Sequence, residues 1–346
     1  MHQKRINNYI LTDENAVFYE CGYSCDNNIF LNLDDRKFFL TDSRYAIEAK
    51  KLVKDAEIIE IKKPLIEESK LLLEKLNIKE LVFDPNDFSY ADFMELSKLK
   101  GINFISEPFF SKKKRMIKSD LEIQKLKQAA TLGASGFTKF ANFISSSKKQ
   151  LSEKELYYNA ELILKDFGNL SLSFNPIIAI NENGAKAHAL PSNKVLQNGD
   201  LLLFDAGVKF ERYCSDRTRT AFFDGQIEFS KNQKFKSNKQ NEIYEIVKEA
   251  QNLAIKSVKP GVLAKDIDRA AREFIKKQGY EKEFFHSTGH GVGIDIHEFP
   301  NINQKSEVVL KEGMVFSVEP GIYIEDEFGV RIEDVVVVTK DGCEIL

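Results

Sequence analysis

Long apolar stretches are missing from this 346-residue sequence. Runs such as LLLF (201–204) and VVVV (335–338) are far too short to span a bilayer. The opening MHQKRINNYILTDEN lacks the apolar core of a signal peptide. Cysteine is scarce, and Cys21, Cys25, Cys214 and Cys343 make no disulfide framework. Cys21 and Cys25 could be half of a metal or redox pair, but their spacing is not CxxC and no second pair is near, so they read as reduced thiols. A reducing cytoplasm is the expected compartment. Charge excess is missing too: 50 basic side chains face 53 acidic ones, for a net charge of −3. So weak a field argues against nucleic acid or an anionic membrane as partner.

What is present is an ordinary globular balance, 42% hydrophobic and 30% charged. The length fits two domains of unequal size, expected at 1–112 and 113–346. In the first, AVFYECG (16–22), NIFLNL (28–33), KFFLTD (37–42), AEIIEIK (56–62), ELVFDP (80–85) and INFISEP (102–108) read as strands. Helical stretches fall near 44–53, 64–77 and 89–100, and Asp34-Asp35 supplies a turn. This predicts an α/β domain, with no chemical constellation in it. The basic run SKKKRMIKS (111–119) reads as a solvated interdomain connection.

Two capping boxes, Ser119-x-x-Glu122 and Ser152-x-x-Glu155, predict helices reaching about residue 145 and about Gly168. From about 173 strands dominate, interrupted by helices near 241–256 and 264–278; the lysine-rich segment 226–240 reads as an exposed loop. A loose twofold rhythm is visible. Helices and then strands carrying two aspartates are followed by helices and then strands carrying two glutamates.

These acidic pairs carry the chemistry. In LLLFDAGVKFERYCSD, Asp205 and Asp216 face each other on one side of a ladder if the hairpin is centred near Phe210-Glu211. Alternatively, one aspartate caps the turn and the other is solvated. Glu319 in VFSVEPGIYI and Glu333 in GVRIEDVVVV lie in apolar strands flanking a turn at 325–329, where an ionised carboxylate needs a partner. Strand alternation puts Arg331 on the face of Glu333. A surface pair of those two would still leave Glu319 unexplained. Between the hairpins lies FFHSTGHGVGIDIHEFP with three of the five histidines, the others being His2 and His188. His286 and His290 have helical spacing, yet the surrounding glycines favour a loop or irregular strand. Carboxylates with an imidazole suit a hard or borderline divalent cation. Four carboxylates within about 5 Å of one another repel by roughly 3 kcal/mol per pair at an effective dielectric near 20. Two dications balance that charge and leave room for a bridging hydroxide nucleophile.

The segments LLLFDAG, YCSDRTRTAFF, HSTGHGVGIDIHE, VFSVEPGIYI and GVRIEDVVVVTKDG resemble those of the pita-bread metallopeptidases, and within them the Xaa-Pro aminopeptidases (aminopeptidase P) and Xaa-Pro dipeptidases (prolidases). The likeness is most specific over 175–346; RKFFLTDSRYAIEAKK extends it into the amino-terminal part. It implies a ribonuclease H-like α/β domain of the creatinase/prolidase amino-terminal type, followed by an α+β pita-bread catalytic domain. It further implies that Asp205 binds a first metal, that Asp216 and Glu333 bridge two, and that His290 and Glu319 complete the second. Glu319 would shuttle the proton, His286 and His297 would hydrogen-bond substrate carbonyls and the developing oxyanion, Arg331 would orient Glu333 or a neighbour, and His188 would take a catalytic or substrate-orienting role. Manganese is the first choice of metal, cobalt and zinc the alternatives. The expected substrates are peptides with proline at the second position, and the expected assembly is a homodimer. Aminopeptidase action is the leading expectation and dipeptidase action the alternative. A methionine aminopeptidase, which would not need the extra amino-terminal domain, and a catalytically dead binding module, which would have lost ligands, rank below both.

Overall fold

The computed structural model describes residues 6–346. The chain divides into two compact units, Met1–Lys114 and Arg115–Leu346.

The first unit is one mixed sheet with helices in its crossovers. Its elements run β1 (Tyr9–Leu11), α1 (Glu14–Cys21), β2 (Asn28–Leu33), β3 (Arg36–Thr41), α2 (Ser43–Leu52), β4 (Glu57–Glu60), α3 (Leu65–Lys75), β5 (Glu80–Phe83), α4 (Tyr90–Leu96), β6 (Asn103–Ser106) and α5 (Phe110–Lys114). Strand order is β4-β3-β2-β1-β5-β6. The β2–β3 hairpin turns at Asp34 and Asp35, both left-handed (φ 49° and 64°), which suits a two-residue connection between twisted strands. One expected strand is instead a helix: 16–22 falls in α1. Asp13 caps its first turn by accepting from the Ala16 N–H, and Gly22 closes it in the left-handed region. The β-branched and aromatic content of AVFYECG argued for a strand, but the two caps decide the conformation. The short β1 escaped notice because three residues show no periodicity.

The second unit opens with α6 (Asp120–Ser146) and α7 (Glu153–Leu164), each with the reciprocal capping box read from sequence. There follow β7 (Ser171–Leu172), β8 (Ile177–Ile180), β9 (Leu201–Ala206), β10 (Val208–Phe210), β11 (Tyr213–Cys214) and β12 (Arg217–Phe222). After α8 (Asn238–Ser257) and α9 (Ala264–Lys277) come β13 (Gly289–Gly291), β14 (Glu298–Ile302), β15 (Val315–Val318), β16 (Gly321–Ile324), β17 (Phe328–Arg331), β18 (Asp334–Val338) and β19 (Cys343–Ile345). The twofold rhythm of the sequence becomes two helix-backed halves. Phe137, Phe140 and Leu156 of α6 and α7 pack on Ile178 and Phe204 of the β12-β9-β8 sheet. Val247 and Ile267 of α8 and α9 share a core with Phe316 and Val336 of the β14-β13-β15-β18-β19 sheet. Each such buried side chain contributes roughly 1.5–3 kcal/mol. The helices thus cover one face of the strands and leave the other for the site.

Two sequence expectations need correction here. The basic run at 111–119 is not wholly solvated: Arg115 and Lys118 are buried, and both hold Glu298, at 3.1 Å and 3.0 Å. Nor is 226–240 simply exposed, since Ile227, Phe229 and Phe235 are buried. In both segments a high charge count hid individual inward-facing residues.

Candidate active site

Strand register brings the acidic residues together. In the β9–β12 ladder Asp205 pairs with Thr218, and Lys209 pairs with Cys214 further along. The turn is at Glu211-Arg212, both left-handed, one step later than the sequence suggested. Asp205 and Asp216 are therefore diagonal neighbours rather than directly opposite. No glycine or asparagine marks this turn, so its centre is not legible from residue type. The glutamates are opposed directly. Val318 pairs with Asp334 on one side of a break and Gly321 with Arg331 on the other, in one continuous register that sets Glu319 across from Glu333. At the break their backbones turn to other strands: the Glu319 N–H donates to Thr288 O (2.8 Å) and the Glu333 N–H to Thr218 O (3.1 Å). That second bond joins the two hairpins.

Gly289 lets β13 approach β15, because a Cβ there would stand 1.8 Å from Ser317 O. His290 follows, its N–H donating to Ser317 Oγ at 3.2 Å. Its Nδ1 lies 3.1 Å from Gly291 O and so carries the proton, which leaves the Nε2 lone pair toward Asp216 (3.5 Å) and Glu319 (3.4 Å). One ligand atom from each of Asp216, His290 and Glu333 falls within a 4.8 Å group. Asp205 stands beside them with Oδ2 accepting from Arg331 (2.6 Å) and Oδ1 buried without a hydrogen-bond partner.

Electrostatics set this cluster apart. Burial first, then the neighbouring carboxylates, push Asp216 and Glu333 well above the usual carboxylate range. Glu319 is raised to about 7 by burial and Asp205, with Arg331 acting against the rise. An orphaned carboxylate oxygen, converging acids and a correctly turned imidazole are what a divalent cation requires. The residues fit a metal.

Arg331 is buried and does not make the surface pair with Glu333. Its guanidinium donates to Asp205, to Thr218 Oγ1 (3.1 Å), to Tyr323 Oη (2.7 Å) and to Ala187 O (3.2 Å). Tyr323 in turn donates to His286 Nε2 (2.9 Å), whose Nδ1–H donates to Ser287 O (2.8 Å). Burial and the Arg331 charge hold His286 down at about 4, so it is neutral. His286 thus has both nitrogens engaged within the protein. His297 packs edge-on to His290, ring centres 4.3 Å apart, and lines the cavity together with His188. All the residues singled out from sequence, Asp205, Asp216, His188, His286, His290, His297, Glu319, Arg331 and Glu333, border one cavity of about 710 Å³. Its walls include Tyr157, Phe174, Pro176, Leu190 and Ile296.

Sequence reasoning missed Thr218, Ser317 and Tyr323. Thr218 donates to Glu333 (2.6 Å), and Ser317 to Glu319 (3.2 Å). Each lies two or four residues from an acidic residue, so strand alternation could have found them.

The Metallopeptidase family M24 profile matches residues 124–340 and the Creatinase/Prolidase N-terminal domain profile residues 1–117. The chain belongs to metallopeptidase family M24. Its M24 relatives include a Xaa-Pro dipeptidase of Pyrococcus furiosus, 40% identical over 74% of this chain and 69% of that protein. Among solved structures, a Xaa-Pro dipeptidase from Bacillus anthracis superposes with TM-score 0.90 at 34% identity, covering 98% of this chain and 92% of that one. An X-Pro aminopeptidase from Thermotoga maritima superposes with TM-score 0.87 at 33% identity, covering 98% and 95%. This M24 chain is therefore a hydrolase with the pita-bread architecture behind a creatinase/prolidase amino-terminal domain. Among the described residues, no helix is long and apolar enough to cross a membrane.

Proposed function

We propose that this M24 enzyme is a dinuclear-metal exopeptidase that hydrolyses the Xaa-Pro bond at peptide amino termini. The observation that carries the reading is the cavity floor, where four carboxylates and His290 converge with one guanidinium to offset them. Asp205, Asp216, His290, Glu319 and Glu333 would hold the ions. Two divalent ions, manganese first and cobalt or zinc as alternatives, would polarise the scissile carbonyl and supply a hydroxide nucleophile at neutral pH.

The chain's own residues do the rest. Glu319, steadied by Ser317, takes up the proton released in hydrolysis and hands it to the departing proline nitrogen. His297 and His188 offer hydrogen bonds to substrate carbonyls. His286 acts through Tyr323 to keep Arg331 against Asp205. A proline nitrogen offers no N–H to grip, and the apolar walls at Phe174, Pro176 and Ile296 suit its ring.

Arg331 favours aminopeptidase over dipeptidase action. It is the guanidinium that lines the cavity, and its donors are already taken by Asp205, Thr218, Tyr323 and Ala187. It is not open to clamp the carboxylate of a dipeptide, while the cavity has room for a longer chain. The names of the Pyrococcus and Bacillus relatives support the dipeptidase alternative. The four unpaired thiols support a reducing, cytoplasmic setting, and a homodimer completes the reading. The test is kcat/KM for Ala-Pro, Ala-Pro-Ala and Met-Ala-Ala peptides with each metal. Cleavage of Ala-Pro-Ala well above the other two is expected. Preference for Ala-Pro would select the dipeptidase, and preference for Met-Ala-Ala would remove the proline specificity.

A further inference from the structure

Glu153 is fully buried at the first position of α7, yet it takes no part in the capping box beside it. There Ser152 and Glu155 satisfy one another, and Glu153 turns inward instead. Its Oε1 accepts the Ile180 N–H (2.6 Å); its Oε2 accepts the Ser192 N–H (2.6 Å) and Asn183 Nδ2 (2.8 Å). Asn183 Nδ2 also donates to Leu190 O at 3.0 Å. One carboxylate thus grips both ends of the segment 180–192 and, through Asn183, ties its two limbs together. Charge-assisted bonds at a helix N-terminus are strong and directional, and the helix end favours the negative charge.

The segment so held carries His188, which lines the cavity beside Glu319 and His286. Its middle is seated independently. Arg331 donates to Ala187 O at 3.2 Å, and a Cβ on Gly329 would stand 1.9 Å from Gly184 O. The start of α7 does not depend on Glu153 for its place. The capping box, the Glu153 N–H to Lys194 O bond and the Leu196 N–H to Leu151 O bond (both 2.9 Å) already fix it. None of the five proposed metal-binding residues lies on 180–192.

We propose that Glu153 is a positioning residue for the His188 loop: it acts through His188, setting where that imidazole stands over the carboxylate cluster without touching substrate or metal. The kinetic part rests on the Xaa-Pro peptidase reading; the geometric part does not. Glu153→Gln keeps the volume but turns an NH2 group toward N–H donors. It should lower kcat/KM for Ala-Pro-Ala by about 10- to 100-fold with bound metal per chain unchanged. In a His188→Ala background the same change should cost less than about twofold, because the residue it acts through is gone. An equal loss in both backgrounds, a loss of bound metal, or an effect under about twofold in the wild type would each overturn the proposal. If Glu153→Gln does not fold, Asn183→Ala, which cuts the tie between the limbs, carries the same cycle. Histidine-labelled NMR of the full chain reads the geometry without activity. His188→Ala identifies the His188 signal among the five histidines. That signal should shift or broaden in Glu153→Gln while those of His290 and His297 stay. An unmoved His188 signal overturns the positioning role, whereas a wild type that leaves Xaa-Pro peptides uncut overturns only the proposed function.

Discussion

The second unit buries acidic residues in two contrasting ways. Away from the cavity three are met by cations of the chain, and Glu153 by N–H groups alone. Glu298 has Arg115 and Lys118, Asp334 has Arg219 and Lys231, and Asp268 has the fork of Arg272. Burial alone would raise Asp334, but Arg219 and Lys231 bring it below the usual carboxylate range. At the cavity floor four carboxylates share Arg331, and Asp216 and Glu333 are pushed up. Asp334 on one side and Asp216 and Glu333 on the other are all buried yet shift in opposite directions, and the cations beside Asp334 make the difference. Several acids crowded together around one cation, rather than burial or acidity alone, is what marks the site.

The largest expected effect strikes the unbalanced set. Asp216→Asn or Glu333→Gln should cut kcat/KM by well over about 100-fold and lower bound metal, read by kinetics and elemental analysis. Near-normal turnover in either would remove the two-metal reading. The balanced set should respond in stability instead. Glu298→Gln strands the buried Lys118 and leaves Arg115 to Asp295 alone, and should cost about 3–5 kcal/mol in urea unfolding. Glu333→Gln in the metal-free protein should cost far less, because it removes a charge that repels its neighbours. Equal losses would break the contrast.

A pH series sharpens it. Glu319 is raised to about 7, so between its ordinary value of 4.5 and 7 the folded state holds a proton that the unfolded chain has released. Its contribution therefore falls as pH rises through that window, by on the order of 2–3 kcal/mol in metal-free protein. His286, lowered from 6.5 to about 4, acts with the opposite sign over that interval. The Glu319 part is therefore read as the difference between wild-type and Glu319→Gln unfolding curves. That difference should shrink when metal is added at neutral pH. The smallest effect is expected at Lys231→Ala. Lys231 is partly exposed and Arg219 remains on Asp334, so a loss of about 1 kcal/mol or less should appear in the same assay.

How much of this could be read from the residues alone divides along the same line. The acids of the site stood out because a carboxylate in an apolar strand contradicts its surroundings, and the two capping boxes announced α6 and α7 from four residues. Elements whose partners are distant in sequence were harder to see. Arg115 and Lys118 look like solvated charges until Glu298, some 180 positions away, is placed against them. Glu153 looks like one more acid in a first helical turn. The helix at 14–21 was hidden by strand-favouring residues, and the turn at Glu211-Arg212 by side chains that rarely accept positive φ.

The continuous register through Glu319 and Glu333 carries a consequence for how this chain can tolerate insertions. Lengthening the tip at 325–327 leaves every rung below it in place. One residue added between Glu319 and that tip would slip the following strand by one position and present Asp334 where Glu333 now stands. Added length is thus expected to be tolerated at the tip alone, where it leaves the count of residues from each acid to the turn unchanged.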